Sequence, residues 1–256
     1  MTDNIFSVKG RVALVSGASS GLGEHIAELL ASHGVAVICA ARRIDLLRSV
    51  AERIMAKGGK ALAVEMDVTD RASVKAGFDL AEQEFGTPDI VFCNAGATGR
   101  QPFLEMEETN WDHVLNVNVK GVFNLGQEGA QRMVAAGKPG NIINISSICA
   151  VSSFMGLTHY SASKAAVNQL TCVMGHELAE HGIRVNALAP GFLHTDLVAD
   201  YYVTPQGQAD LANLPLKRAG HLSEIDGAIL LLASDAASYM SGSLVTVDAA
   251  HSVRLG

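Results

Sequence analysis

The chain has 256 residues, 48% of them hydrophobic, and carries a formal net charge of −7. That length supports one sizeable core, so a single domain over 1–256 is expected. The acidic balance and the lack of any Lys/Arg run argue against nucleic acid and anionic membrane surfaces as partners.

The opening MTDNIFSVKG lacks a positively charged start followed by an apolar segment, so no signal peptide is expected. VALVS (12–16) reads as the first strand. It runs into SGASSGLG (16–23), ahead of a helix carrying Ile26, Leu29, Leu30 and His33 at helical spacing. Gly17, Gly21 and Gly23 let the backbone turn tightly and approach a ligand. The helix behind them offers unpaired N–H groups to a pyrophosphate. The spacing is G-x-x-x-G-x-G, not the G-x-G-x-x-G dinucleotide fingerprint. A glycine-rich turn without a ligand is the alternative, but its place after the first strand favours a nucleotide.

VAVICA (35–40) is the second strand. A protein that selects NAD places an acid at the end of this strand, whereas an arginine accommodates the 2′-phosphate of NADP. Ala41 stands at that position, with Arg42 and Arg43 behind it. NADP(H) is therefore the expected cofactor and NAD(H) the alternative. The bland reading makes both arginines a solvated helix entrance. Leu47, Val50, Ala51 and Ile54 mark the helix that follows, and Gly58-Gly59 stop it.

ALAVEM (61–66) is the third strand and ends at Asp67. Val74, Phe78, Ala81 and Phe85 follow on a helix with Gly86 in the cap position. DIVFC (89–93) runs into Asn94-Ala95-Gly96. Trp111, Leu115, Val122 and Leu125 form an apolar helical stripe that contains Asn118. A buried amide costs stability unless its hydrogen bonds are satisfied, so Asn118 is either a structural tie or part of a site. NIINIS (141–146) ends on Ser146 and Ser147. No G-x-S-x-G elbow accompanies them, which argues against a hydrolase serine.

Tyr160 and Lys164 in YSASK lie one helical turn apart on one face. A free phenol has a pKa of roughly 10, and an ammonium nearby favours its ionised form. IRVNALA (183–189) leads to Pro190-Gly191, and the irregular stretch 191–220 reads as a substrate loop or lid. Ser223-x-x-Asp226 opens a further helix that turns Ile225, Ile229 and Leu232 inward, and LVTV (244–247) is the last strand. The alternation predicts an α/β fold: one doubly wound, Rossmann-type domain with a seven-stranded, mainly parallel sheet and helices on both faces. Ligands bind such sheets at the carboxyl ends of the strands, where the special residues here collect.

Taken together, these residues resemble the classical short-chain dehydrogenase/reductase family. The resemblance covers about 10–250. It rests on Gly17-x-x-x-Gly21-x-Gly23, Asp67, Asn94-Ala95-Gly96, Asn118, Ser147, Tyr160-x-x-x-Lys164, Pro190-Gly191 and the late segment beginning LPLKRAGHLSEI. It implies that Tyr160 is the general acid for carbonyl reduction, and the base in reverse. It implies that Lys164 lowers the Tyr160 pKa and holds the nicotinamide ribose. Ser147 would hydrogen-bond the substrate oxygen, and Asn118 would hold a water linking Lys164 to solvent. The cofactor site would take Gly17, Ser19, Ser20, Gly21, Leu22 and Gly23 from the first turn. Ala41, Arg42, Arg43, Asp67, Val68, Asn94, Ala95 and Gly96 would join from the next strand ends. Tyr160, Lys164, Pro190, Gly191, Phe192 and Thr195 would complete it. The chain departs from the family at Ser16, often Thr, and at Ala249-Ala250, often a glycine pair. Two added methyl groups put the local backbone there in doubt.

By the same resemblance, residues 148–159 and 191–215 line the substrate pocket. Phe154, Met155, Leu157, Phe192, Leu193 and Leu197 make it mostly apolar, with Arg100 and His194 as polar contacts or plain surface residues. An uncharged ketone or secondary alcohol is expected, reduced by NADPH. An NAD-dependent secondary alcohol dehydrogenase and a 3-oxoacyl thioester reductase are the alternatives. A non-catalytic nucleotide-binding protein on the same fold is disfavoured by the intact Ser147, Tyr160 and Lys164. The helix over 161–180 is apolar on more than one face, from Ala165, Ala166 and Val167 to Leu178. The resemblance implies that another subunit covers it in a homotetramer, with a dimer as the alternative; the bland reading is cover by the protein's own loops. The scattered Cys39, Cys93, Cys149 and Cys172 suggest reduced thiols and a cytoplasmic protein. No run is long enough to span a bilayer, and no ligand spacing suggests a metal.

Overall fold

The structure, a computed structural model, describes residues 4–253 apart from the side chains of residues 196 and 197. Strands and helices alternate from the start: β1 (Val12–Ser16), α1 (Gly21–Ser32), β2 (Ala36–Ala41), α2 (Ile44–Ala56), β3 (Lys60–Glu65) and α3 (Arg71–Phe85). There follow β4 (Ile90–Cys93), α4 (Glu108–Leu115), α5 (Gly121–Ala135), β5 (Gly140–Ile145), α6 (Thr158–Glu177) and β6 (Ile183–Pro190). The chain closes with α7 (Asp196–Tyr202), α8 (Pro205–Asn213), α9 (Asp226–Ala233) and β7 (Leu244–Val247).

The seven strands lie in the order β3-β2-β1-β4-β5-β6-β7, and every pairing is parallel. Every residue of β4 and β5 is buried, which is why these runs show no polar alternation. One core layer joins Ile26, Leu30, Leu47, Ile54, Ile229 and Leu232 from α1, α2 and α9. The other joins Val74, Phe78, Leu125, Met133 and Val167 from α3, α5 and α6. The order reverses between β1 and β4, and that switch point opens a crevice at the carboxyl edge.

Two expectations change. The stretch 191–220 is not an irregular loop, because α7 and α8 occupy much of it. Thr204 caps α8, accepting a 3.0 Å hydrogen bond from the Gly207 N–H, and Pro205 is its first residue. The cap before α9 also begins two residues earlier than Ser223-x-x-Asp226, at His221. Glu224 accepts from the His221 N–H at 2.7 Å, and Ser223 sits inside a 3₁₀ turn over Leu222–Ile225. No described helix is long and apolar enough to cross a membrane. Among the described residues no His/Cys/Asp/Glu group could hold a metal ion.

α6 buries Ser163, Lys164, Val167, Thr171 and Gly175, while Val173 stays 44% exposed. Between α5 and α6 runs a groove of about 470 Å³ walled by Phe123, Val134, Leu170, Met174 and Leu178.

The alanine pair keeps the left-handed backbone despite its methyl groups. Ala249 has φ 51° and Ala250 φ 67°. Asp248 holds the turn: Oδ1 accepts from the Ala250 N–H at 3.0 Å and Oδ2 from the Ser252 N–H at 2.7 Å. The left-handed region costs a non-glycine residue about 1–2 kcal/mol. Glycine in turn loses more chain entropy on folding, worth about 0.5–1 kcal/mol. Ala249→Gly and Ala250→Gly should therefore each stabilise the fold by about 0.5–1 kcal/mol. Urea titration reads this as a higher midpoint with an unchanged slope.

Candidate functional site

The crevice is braced by one hydroxyl. Ser16 Oγ donates to the Phe92 carbonyl at 3.1 Å and accepts from the N–H groups of Asn94 and Ala95, each at 3.0 Å. The Asn94 amide returns the tie, donating to the Ser16 carbonyl at 2.8 Å. The ends of β1 and β4 are thus locked together by Ser16.

Behind Ser16 the glycine turn is too tight for side chains. A Cβ on Gly17 would lie 2.9 Å from the Ala95 Cα, and one on Gly23 2.3 Å from the Gly17 carbonyl oxygen. Gly21 adopts φ 58° and faces Thr195 across 3.6 Å, measured from the position its Cβ would take. Ser20 begins α1 without capping it by a side-chain bond, so the first N–H groups of α1 are left to a ligand. Leu22 packs down onto the core and anchors the turn. The backbone cradle and helix end fit a dinucleotide pyrophosphate.

The arginines that follow β2 take different partners. Arg43 donates to both Ser19 Oγ at 2.9 Å and Ser20 Oγ at 2.8 Å. The Arg42 charge instead reaches Asp67. Ala41 ends β2 between them and offers no carboxylate. Asp67 accepts from the Thr69 N–H at 2.9 Å and from its hydroxyl at 2.8 Å. Its carboxyl lies below the usual value: burial pushes it up, and the Thr69 bonds with the Arg42 charge outweigh that. The Val68 carbonyl accepts from the Asn124 amide at 2.8 Å, which fixes the strand end beneath Asp67.

Asn118 is fully buried in a π-helical turn over Asn116–Lys120, between α4 and α5. Its Oδ1 accepts from the Ala97 N–H at 2.7 Å; its Nδ2 donates to the Ala97 carbonyl and to Ser163 Oγ, both at 2.9 Å. The amide is a structural tie first. It also stands next to Lys164, because a Cβ on Gly96 would lie 3.4 Å from Asn118 Oδ1 and 3.8 Å from Lys164 Nζ.

Ser147, Tyr160 and Lys164 meet where β5 ends and α6 begins. Ser147 Oγ accepts from the Cys149 N–H at 3.1 Å and lies beside the Tyr160 phenol, whose ionised form it favours. Its neighbour Ser146 turns inward and donates to Asn168 Oδ1 at 2.5 Å, so it belongs to the scaffold. Lys164 is 4% exposed and donates from Nζ to the Ile145 carbonyl at 2.8 Å. Nζ lies 5.5 Å from the centre of the Tyr160 ring. The pKa directions correct the expectation of a lowered phenol. Burial pushes Tyr160 above its ordinary 10.0, and the Cys149 charge adds to this; the Ser147 hydroxyl opposes them without prevailing. Burial also pulls Lys164 down from 10.5 to about 8. Desolvation leads at both groups, outweighing the Ser147 contribution at Tyr160 and the Cys149 charge at Lys164.

On the substrate side, Phe192 stacks near Phe154 at 5.6 Å and Tyr202 at 6.2 Å. Its ring thus joins an aromatic cluster, while Pro190 and Gly191 close the end of β6. Gly191 donates to the Val247 carbonyl at 2.9 Å and passes so close to Asp248 that a Cβ would meet it at 2.8 Å. Met155 is 90% exposed at the rim, Leu193 packs on the core, and the Leu197 side chain lies outside the described residues. His194 stacks on His221 at 5.8 Å.

Two features were not foreseen. His251, delivered by the strained alanine turn, sets its ring edge-on to Phe192 at 4.9 Å and near Phe154 at 5.5 Å. The alanine departure was visible in the sequence, but not where it would send the next residue. Arg100 lies 4.3 Å over the Tyr201 ring and 3.3 Å from Asp210. It ties the loop after β4 to α7 and α8.

Residues 17–250 match the family model described as Enoyl-(Acyl carrier protein) reductase. A 3-oxoacyl-[acyl-carrier-protein] reductase of Thermotoga maritima is 36% identical over 241 residues, covering 94% of this chain and 97% of that protein. A short-chain type dehydrogenase/reductase from Mycobacterium marinum superposes with a TM-score of 0.92 at 39% identity, covering 96% of this chain and 97% of that one. A gluconate 5-dehydrogenase from Burkholderia cenocepacia, solved with NADP and tartrate, gives 0.93 at 33% identity over 98% of both chains. With the glycine turn, the Tyr160–Lys164 pair and the sheet order in place, these matches show that the chain belongs to the short-chain dehydrogenase/reductase family, whose members are oxidoreductases acting on CH–OH and C=O groups.

Proposed function

We propose that this protein is an NADP(H)-dependent oxidoreductase that interconverts a ketone and a secondary alcohol, working as a carbonyl reductase. The observation that carries this is the meeting of the Tyr160 phenol with Ser147 at the sheet edge that also holds the glycine turn. When bound, the nicotinamide supplies the hydride. Tyr160 gives its proton to the substrate oxygen, and Ser147 donates a hydrogen bond to that oxygen as negative charge develops. A phenol held above its ordinary pKa stays protonated near neutrality, which suits reduction. Lys164 holds the nicotinamide ribose, and its ammonium is positioned to stabilise the phenolate left behind. Asn118 and Gly96 keep the space beside it.

Arg43 would receive the 2′-phosphate with Ser19 and Ser20, and Arg42 would flank it from the Asp67 side. That the Burkholderia cenocepacia relative is solved with NADP agrees with this choice. The natural substrate is more open. Thioester reduction on an acidic carrier would need a basic docking surface. Arg132, the arginine available on α5, is already paired with Asp79, Glu82 and Glu128. A free ketone against the aromatic wall of Phe154 and Phe192 is therefore favoured over a carrier-bound 3-oxoacyl chain. A gluconate-type hydroxy acid is the second reading, favoured by the polar ring of His251 in that wall. The apolar groove between α5 and α6 supports a homotetramer, in which another subunit covers Leu170 and Met174.

Following cofactor absorbance over ketones, secondary alcohols and hydroxy acids with both nicotinamides tests the reading. Tyr160→Phe should fold and bind NADPH, yet lose about 10²–10⁴-fold in kcat. A variant that keeps half of wild-type turnover would refute the proton-donor role. Arg43→Ala should weaken NADPH by about ten- to a hundredfold and leave NADH nearly unchanged, since a bond to a charged group is worth about 1.5–3 kcal/mol. Equal losses for both cofactors would remove Arg43 from phosphate recognition.

Lys164 makes a stability prediction as well. Its folded pKa of about 8 lies below its ordinary 10.5, so between them the unfolded chain binds the extra proton. Stability should therefore rise with pH across that window and fall as pH drops through about 8. Lys164→Met should flatten this slope in urea melts of the cofactor-free protein.

A further inference from the structure

α6 meets α4 and the π-helical turn that follows it through two polar contacts, set one turn apart on α6. Ser163 Oγ accepts from Asn118 Nδ2 at 2.9 Å. One turn earlier, His159 Nε2 lies 3.3 Å from Asn110 Nδ2. Helical positions i and i+4 stack, so His159 and Ser163 form one edge of α6 while Tyr160 and Lys164 form the next. The first edge is pinned to α4 and the π-helical turn behind it; the second faces Ser147.

The chemistry of the earlier contact is defined. An amide NH₂ can only donate, so His159 Nε2 accepts and the ring proton sits on Nδ1. Asn110 uses the same NH₂ to donate to Gln101 Oε1 at 3.0 Å. Gln101 Oε1 also accepts from the Glu107 N–H at 3.2 Å, next to the start of α4. The Gln101 N–H in turn donates to the Gly156 carbonyl at 2.9 Å, just before α6. A closed circuit therefore runs from the turn before α6, through the loop after β4, across α4 and back to His159.

His159 is fully buried, and burial holds its pKa below the ordinary 6.5. Nδ1 has no hydrogen-bond partner among the described residues. An apolar residue would fill the same space without burying an N–H, so the acceptor on Nε2 is the feature the imidazole adds.

We propose that His159 is a positioning residue for Tyr160. Its bond to Asn110 fixes the rotation of α6 at the turn that presents the phenol to Ser147. Ser163, Lys164, Asn168 and Thr171 hold α6 from its second turn onward; the His159 bond adds the hold at the first turn, beside the phenol. A rotation of about 10° moves an atom about 6 Å from the helix axis by roughly 1 Å. A misplacement of about 1 Å can cost a hundredfold in rate. The inference rests on the reading of Tyr160 as proton donor.

The test compares His159→Leu, which fills the space without an acceptor, with His159→Gln, which restores one. Saturating kcat with NADPH, its solvent deuterium effect, NADPH affinity and the spectrum of tyrosine labelled at Cζ are measured together. The chain has four tyrosines, and Tyr160→Phe assigns the resonance. His159→Leu should lose about 10–100-fold in kcat, show a larger solvent effect and shift the Tyr160 resonance, with NADPH affinity within about twofold. His159→Gln should recover most of each. Wild-type kcat and an unmoved resonance in His159→Leu would overturn the proposal, as would a Gln variant as impaired as Leu. If His159→Leu does not fold, Asn110→Leu removes the donor from the other side and is judged by the same measures. If Tyr160→Phe keeps its turnover, the proton-donor reading fails instead, and the resonance still reports whether His159 sets the phenol's surroundings.

Discussion

The site depends on one buried ammonium. Lys164 is 4% exposed at the end of β5, and its charged form is costly there. The fold offsets that cost with the Ile145 carbonyl, freed at the carboxyl edge because the strand pairing ends at this residue. Everything nearby is shaped around the same atom. Gly96 lies beside Nζ, where a Cβ would come within 3.8 Å of it, and Asn118 is tied off to Ala97 and Ser163 rather than competing for it. A parallel sheet supplies this arrangement readily, since its carboxyl edge collects unpaired carbonyl groups and helix starts in one place.

Much of this could be read from residue order. The strands were apolar runs too short for helices, and each forms within a residue of its expected ends. The site residues could be found because a doubly wound sheet converts position after a strand into position in space. Gly17, Asp67, Asn94 and Ser147 all follow strands, and all reach one edge. What could not be read was set by contacts between distant segments. Thr204-Pro205 is a helix start, yet the aromatic residues around it obscured the signal in 191–220. Arg100 gave no hint that it would clasp Tyr201 and Asp210, because those contacts join a loop to helices about a hundred residues further along the chain. The lowered Tyr160 pKa inferred from spacing also failed, since helical spacing gives proximity but says nothing of desolvation.

The C-terminal turn shows how strain and recognition are linked. Ala249 and Ala250 occupy a backbone region that glycine would enter without cost. Asp248 holds them there with its two carboxylate oxygens, and His251 is thereby placed against Phe154 and Phe192. The chemistry at Ser147 and Tyr160 is carried by regular elements, whereas the wall that contacts the rest of a substrate comes from loops and the turn after β7. The first can stay fixed while the second varies, which fits relatives of similar sequence or fold that bear names as different as oxoacyl reductase and gluconate dehydrogenase.

The π-helical turn at Asn116–Lys120 unites these themes. A π-turn inserts a residue into a helix and locally breaks its regular bonding, so it costs stability and is rare. Here it lets one continuous helical path bury Asn118 against Ala97 and also turn Val122 and Leu125 into the core. A regular helix would shift the residues after Asn118 by about 100° relative to those before it. Either the amide or the apolar stripe would then leave its place. The irregularity is what allows Asn110 on α4 and Asn118 in the π-turn to serve α6 while α5 serves the sheet, so the acid–base pair and the core share one segment of chain without competing for its faces.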